Sequence, residues 1–100
     1  MIILRFKVRS KPEKSDELLA VLAEIIPAAR ATEGVVNFDI ARTLDDPDSF
    51  IATVVYDDGD ALERQESAPE VHKAMAIFPD SLMVPPERTI FDASISPVLV

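Results

Sequence analysis

Residues 35–57, VVNFDIARTLDDPDSFIATVVYD, decide the fold because they predict two β-strands folded back on each other. Apolar and polar side chains alternate over residues 35–43, and residues 50–56 are rich in β-branched and aromatic side chains. Residues 44–49, which lie between the two runs, contain three aspartates and a proline, and both residue types favour turns. The stretch therefore predicts a hairpin with a loop of about five residues.

A strand and a helix precede this hairpin. Apolar side chains occupy every second position of residues 2–8, which predicts a strand with one fully apolar face. Over residues 18–29 the apolar side chains recur at steps of three and four, which is typical of a helix that buries one stripe. Pro27 predicts either a kink or an early end followed by another helical turn, and Gly34 is suited to ending the helix.

Two helical pieces and a strand follow the hairpin. The acidic run at residues 57–60 supplies helix caps, so we expect a short helix over residues 61–66 and a second piece over residues 69–78. Pro79 and the later prolines predict a loop. Residues 87–96 predict the fourth strand.

The order strand, helix, strand, strand, helix, strand predicts an α+β, ferredoxin-like fold: a four-stranded antiparallel sheet with the helices on one face. The length of the chain fits one domain over residues 1–100. The uncovered sheet face would carry a mixed set of side chains: Ile3, Val35, Ala41, Ile51 and Val55 beside Arg5, Lys7, Asn37, Asp39 and Thr53. Because exposed apolar side chains on a flat sheet favour association, we expect a homodimer packed sheet to sheet, with residues 93–100 as a candidate C-terminal arm.

Composition excludes several classes of function. The net charge of −8 disfavours binding to nucleic acid and to anionic membranes, and no apolar run approaches the length of a membrane span. We therefore expect a cytoplasmic protein. The chain has no cysteine and one histidine, and its two glycines stand alone, so the sequence predicts no metal centre and no bound cofactor. The aspartates at residues 57–60 lack the spacing of a calcium loop.

Three side chains are candidates for catalysis. His72 is the only histidine, and histidine is the residue type that changes charge near neutral pH, so His72 is the candidate general base; the plain alternative is a partly exposed helix residue. Tyr56 ends the third predicted strand, where it is either a pocket wall or a cap on the core. Asn37 is a candidate for orienting a substrate oxygen, although it falls on the face assigned to the dimer.

Four segments resemble the antibiotic biosynthesis monooxygenase domain family, a group of small dimeric α/β-barrel proteins. These segments are IILRFKVRSKPEKSDELLAVL, ATEGVVNFDIARTLDDPDSFIATVVYDDGDALE, SAPEVHKAM and PPERTIFD, and together they cover nearly all of residues 2–92. The resemblance implies oxidation of an electron-rich phenol, quinol or anthrone by O2 without metal or flavin. In that chemistry the protein excludes water and supplies a base and hydrogen-bond donors. We assign the base to His72, the aromatic wall and donor to Tyr56, and the orienting amide to Asn37.

Other functions remain open. The family usually has a tryptophan where this chain has Tyr56. The absence of this tryptophan is compatible with a non-catalytic dimer that binds an aromatic metabolite or regulates a partner. A haem-degrading relative is disfavoured, because those members pair an Asn on the first strand with a Trp on the third strand and a ligand His on the second helix. Here the first strand has no Asn, Trp is absent, and Ala76 best matches the ligand position. An isomerase or lactonase is compatible with the same scaffold.

Overall fold

The hairpin lies at one edge of a four-stranded antiparallel sheet in a computed structural model, which describes residues 1–94. Strand β2 (Val35–Arg42) pairs with β3 (Ser49–Tyr56), and residues 43–48 form the loop between them. Strands β1 (Ile2–Arg9) and β4 (Glu87–Asp92) complete the sheet in the order β2-β3-β1-β4. This order places the two terminal strands side by side and confirms the ferredoxin-like fold that the sequence predicts.

Three α-helices cover one face of the sheet. Helix α1 (Ser15–Arg30) follows a short 3₁₀ turn, and α2 (Gly59–Glu66) and α3 (Pro69–Ser81) form the second helical unit. Asp58 caps α2, since its carboxylate accepts a hydrogen bond from the Ala61 amide at 3.0 Å. This bond confirms that the acidic run before α2 supplies a helix cap, and the cap is Asp58.

Both helices with an internal proline continue past it. Helix α1 contains Pro27 and extends to Arg30, so the helix does not end early. Helix α3 contains Pro79 and extends to Ser81, so the predicted loop at Pro79 was wrong. A proline in the last turn removes a single intrahelical hydrogen bond, and Leu82 still bonds back to Phe78 at 2.9 Å.

The core lies between the sheet and the helices. Alternate side chains of the strands point to this side and pack against α1, α2 and α3; the buried apolar ones from the strands are Leu4, Val8, Phe38, Phe50, Val54 and Tyr56. Helix α1 contributes Leu18, Leu22 and Ile25. The apolar stripe predicted for α1 is therefore buried, except for Leu19, which is 40% exposed.

Residues 1–94 leave the opposite sheet face uncovered, and this face carries most of the predicted side chains. Ile3 pairs with Val55 and with Phe91, and Ala41 pairs with Ile51, so these side chains share one face. The expectation for Val35 was wrong, because a bulge between Val35 and Asn37 shifts the register of β2 by one residue. Val35 thus packs against the core.

The C-terminal end differs from the sequence prediction. Strand β4 ends at Asp92 rather than at residue 96, although the Ala93 amide still bonds to the Met1 carbonyl at 2.9 Å. Most of the candidate arm over residues 93–100 lies outside the described residues. Over residues 1–94, the structure contains no helix that combines the length and the apolar character needed to cross a bilayer.

Candidate functional site

A cavity of about 150 Å³ lies between the sheet and the helices, beside the core. Among residues 1–94, twelve of its lining side chains are apolar, and they come from five elements: Leu4 and Phe6 (β1), Phe38 and Ile40 (β2), Ala52 and Val54 (β3), Leu22 and Ile25 (α1), and Val71, Ala74, Met75 and Phe78 (α3). The rings of Phe6 and Phe78 stack with centroids 6.0 Å apart. This lining suits a flat apolar ligand.

Three polar side chains interrupt the apolar lining. Gln65 and Glu66 come from the end of α2, and Arg88 comes from β4. Glu66 and Arg88 form an ion pair of 2.6 Å and are partly exposed, as is Met75, so these three side chains mark the mouth of the cavity. Gln65 is only 5% exposed and is the buried polar group of the lining.

Tyr56 holds Gln65 by a hydrogen bond. The Tyr56 side chain is fully buried, and its hydroxyl donates a hydrogen bond to Oε1 of Gln65. Burial raises the pKa of Tyr56 above its ordinary value of 10.0, and the negative charge of Glu66 raises it further. The hydroxyl is therefore a neutral donor over the whole physiological range of pH.

A second, polar cleft lies around the ends of β1 and β3. Its charged lining residues include the cations Lys7 and Arg9 and the anions Asp45, Asp46 and Glu87. Arg9 and Asp46 already pair at 3.3 Å, and Asp46 also accepts from the Ser49 hydroxyl at 2.7 Å. Arg9 and Asp46 therefore already neutralise each other within this cleft.

Residues 1–77 match the family model described as antibiotic biosynthesis monooxygenase. This chain belongs to that family. The match includes most of the lining of the apolar cavity and ends before Phe78 and Arg88. No curated protein matches the chain.

Solved structures share the fold of this family member at low sequence identity. A solved antibiotic biosynthesis monooxygenase superposes with a TM-score of 0.87 at 18% identity, over 95% of this chain and 100% of the other. A protein from Mycobacterium tuberculosis gives 0.88 at 18% identity, over 97% and 98%. A conserved protein from Methanosarcina mazei gives 0.85 at 18% identity, over 93% and 92%. These similarities establish the family fold.

The structure does not bring the three candidate catalytic residues together. His72 is exposed on α3 and does not line the cavity, although its neighbour Val71 does. Asn37 is exposed on the uncovered sheet face, where its Nδ2 donates to Asp39 at 2.8 Å. Tyr56 reaches the cavity only through Gln65. The roles assigned to these residues stay predictions, and Tyr56 is the one that the fold connects to the cavity.

The polar residues of the cavity were missed by the sequence analysis of this family member. Gln65 follows Ala61 by four residues and Leu62 by three, so it lies on the buried side of α2. A glutamine on the apolar side of a short helix was the available signal. Arg88 gave no such signal, because β4 is an edge strand whose side chains are all exposed.

No metal site accompanies the cavity in the described part of the chain. Within residues 1–94, no group of three His, Cys, Asp or Glu side chains is placed to hold a metal ion.

Proposed function

We propose that the protein is a cofactor-independent monooxygenase that oxidises a small electron-rich aromatic molecule with O2 in the apolar cavity. The observation that carries the proposal is an apolar cavity of about 150 Å³ with one buried amide, in a member of the antibiotic biosynthesis monooxygenase family. An apolar protein cavity of about 150 Å³ is large enough for a benzene ring. One aromatic ring fits inside, and any further ring extends through the mouth.

The reaction is balanced without an added reductant. A hydroquinone gives up its proton, transfers an electron to O2, and combines with the reduced oxygen; loss of water then leaves a hydroxyquinone. One oxygen atom enters the product and the other leaves as water, and the aromatic substrate supplies all the electrons. The apolar lining excludes water from the reactive anion, which is the main contribution expected of the protein.

Two side chains are candidates for the proton acceptor. Glu66 lines the cavity at its mouth, where it pairs with Arg88. His72 follows the lining residue Val71 and serves only a substrate that extends out of the cavity. The two candidates therefore predict different sensitivities to substitution.

The test is oxygen uptake by metal-free protein that is offered hydroquinones and anthrones of increasing size. Ala52→Leu adds bulk to the lining from β3 and is expected to reduce uptake at least tenfold, while Ala23→Leu, the same change at an exposed position of α1, leaves uptake unchanged. Loss of uptake in Glu66→Gln but not in His72→Ala assigns the proton to Glu66, and the reverse pattern assigns it to His72. Equal uptake by the protein with and without Ala52→Leu would refute the cavity as the site.

A non-catalytic binding module is the second candidate. The observation that favours it is the separation of His72, Tyr56 and Asn37, since no histidine lines the cavity among residues 1–94. In this case the same aromatic molecules bind in the cavity and are blocked by Ala52→Leu, but oxygen is not consumed. Uptake and binding measured on the same samples separate the two candidates.

We also propose that two copies pack through their uncovered sheet faces. The apolar members of this face are Ile3, Ala41, Ile51, Val55 and Phe91. Phe91 is 48% exposed in the single chain, so a partner sheet would remove a large apolar surface from water.

A further inference from the structure

The Gln65 amide is fixed in one orientation. It has a carbonyl oxygen that accepts hydrogen bonds and an NH2 group that donates two. Its Oε1 accepts the bond from the Tyr56 hydroxyl, and its side chain is held between α2 and the cavity with 5% exposure. Since the oxygen is occupied by Tyr56, the NH2 group is the part of the amide that remains for another partner.

This NH2 group has open space beside it. No residue among 1–94 accepts a hydrogen bond from Nε2 of Gln65. If Nε2 were completely buried, it would be a buried atom without a partner, but in that part of the chain the only such side-chain nitrogen or oxygen atom is Oγ of Ser15. Nε2 is therefore not sealed in protein, and the cavity is the space that Gln65 lines. A donor that faces an apolar cavity is satisfied by an acceptor on a ligand.

Tyr56 keeps this arrangement from reversing. A neutral phenol is the donor to Oε1, and burial together with the charge of Glu66 raises the pKa of Tyr56, so the hydroxyl keeps its proton. If the amide turned over, its NH2 group would donate to the hydroxyl oxygen, its own oxygen would face the apolar lining, and the buried O–H of Tyr56 would lose the acceptor that Oε1 provides. The hydroxyl of Tyr56 thus selects the orientation in which the cavity meets a donor.

We propose that Nε2 of Gln65 recognises an acceptor oxygen on the ring of the bound ligand, a carbonyl or phenolate oxygen, and that Tyr56 is the positioning residue that holds the amide for this contact. The inference deepens the proposed function, on which it rests for the cavity as the ligand site. It predicts selectivity for aromatic molecules that carry an acceptor oxygen over molecules of the same shape that lack one.

The test compares two ligands that differ in one atom group. Acetophenone carries a carbonyl oxygen where α-methylstyrene carries a CH2 group, and neither needs oxygen chemistry to bind. Dissociation constants from NMR titration give the ratio of the two affinities. In Gln65→Leu this ratio is expected to fall about tenfold in favour of α-methylstyrene, because the donor is lost and the apolar contacts are kept. In Tyr56→Phe the ratio is expected to fall about threefold, since the amide is present but no longer held.

The ratio separates recognition from a purely structural role. A loss of fold stability weakens the binding of both ligands equally and leaves the ratio of their affinities unchanged. Glu63→Gln, a substitution at an exposed position of the same helix, serves as the control. A ratio within twofold of the unsubstituted protein in Gln65→Leu would overturn the inference, as would failure of both ligands to bind the unsubstituted protein. If Gln65→Leu does not fold, Tyr56→Phe decides on the same criterion.

Recognition of the ligand by Gln65 and oxygenase activity are tested independently of each other. An altered ratio without oxygen uptake supports recognition by Gln65 and rejects the oxygenase. Oxygen uptake with an unaltered ratio rejects recognition by Gln65 and keeps the oxygenase.

Discussion

Replacing Gly34 by alanine is expected to destabilise the fold by about 3 kcal/mol. Gly34 ends the connection from α1 to β2 with a φ of +87°, where a residue with a Cβ loses about 1 to 2 kcal/mol. The added Cβ would also lie 2.6 Å from Cβ of Ala61 on α2, and such overpacking costs about 1 to 3 kcal/mol. Ala61 is fully buried, so the added Cβ meets a packed side chain rather than solvent.

Urea unfolding followed by circular dichroism measures this loss. For a domain of this size, about 3 kcal/mol lowers the unfolding midpoint by roughly 1 to 3 M urea. Gly59→Ala is the matched control, since among residues 1–94 a Cβ there meets only Cδ1 of Ile2 at 3.8 Å and the position begins a helix. That control is expected to stabilise the fold slightly, by about 0.5 kcal/mol. A Gly34→Ala midpoint equal to that of Gly59→Ala would refute the reasoning.

Two further predictions concern the acid stability and the association of the chain. Hydrogen bonds from the Ser49 hydroxyl and the Asp48 amide, with Arg9 nearby, lower the pKa of Asp46 below 3.8. The ionised Asp46 carboxylate therefore contributes fully to the stability of the fold above pH 3.8, and this contribution is lost as the pH falls through the lowered pKa. The stability gap between the unsubstituted protein and Asp46→Asn should therefore shrink between pH 5 and pH 2 in urea titrations, and a constant gap would contradict this cause. Val55→Arg places a charge in the uncovered sheet face and is expected to convert a dimer to a monomer in analytical ultracentrifugation, while Ala20→Arg on an exposed position of α1 does not. A monomeric unsubstituted protein would reject the sheet-to-sheet dimer.

The strands and helices were largely predictable because each leaves a periodic pattern in the sequence. The hairpin, the apolar face of β1 and the buried stripe of α1 all follow from local spacing, and the structure has each of them. The side on which Val35 lies was not predictable, because a bulge breaks the two-residue period without changing the composition of β2. Pro79 likewise read as a helix end, yet α3 continues to Ser81.

The candidate site was less accessible to sequence reasoning than the fold. His72 stood out by its chemistry, but helical spacing places it on the exposed side of α3, one position beyond the cavity. Gln65 carried no chemical signal by itself, because the role that we propose for it depends on the hydrogen bond from the Tyr56 hydroxyl. The cavity joins side chains from β1 to β4 that are up to 84 residues apart, from Leu4 to Arg88, so no local pattern encodes it.

By itself, the sequence determined the order of the elements, the apolar sides of β1 and α1 and the resemblance to the antibiotic biosynthesis monooxygenase family, since these depend on residues close together in the chain. Only the tertiary structure decided that Gln65 and the ion pair of Glu66 with Arg88 form the polar part of one apolar cavity, and that the Tyr56 hydroxyl bonds to Gln65. The physical reason is that burial and hydrogen bonding of a side chain depend on how helices dock on the sheet, and docking brings together residues that the chain keeps apart.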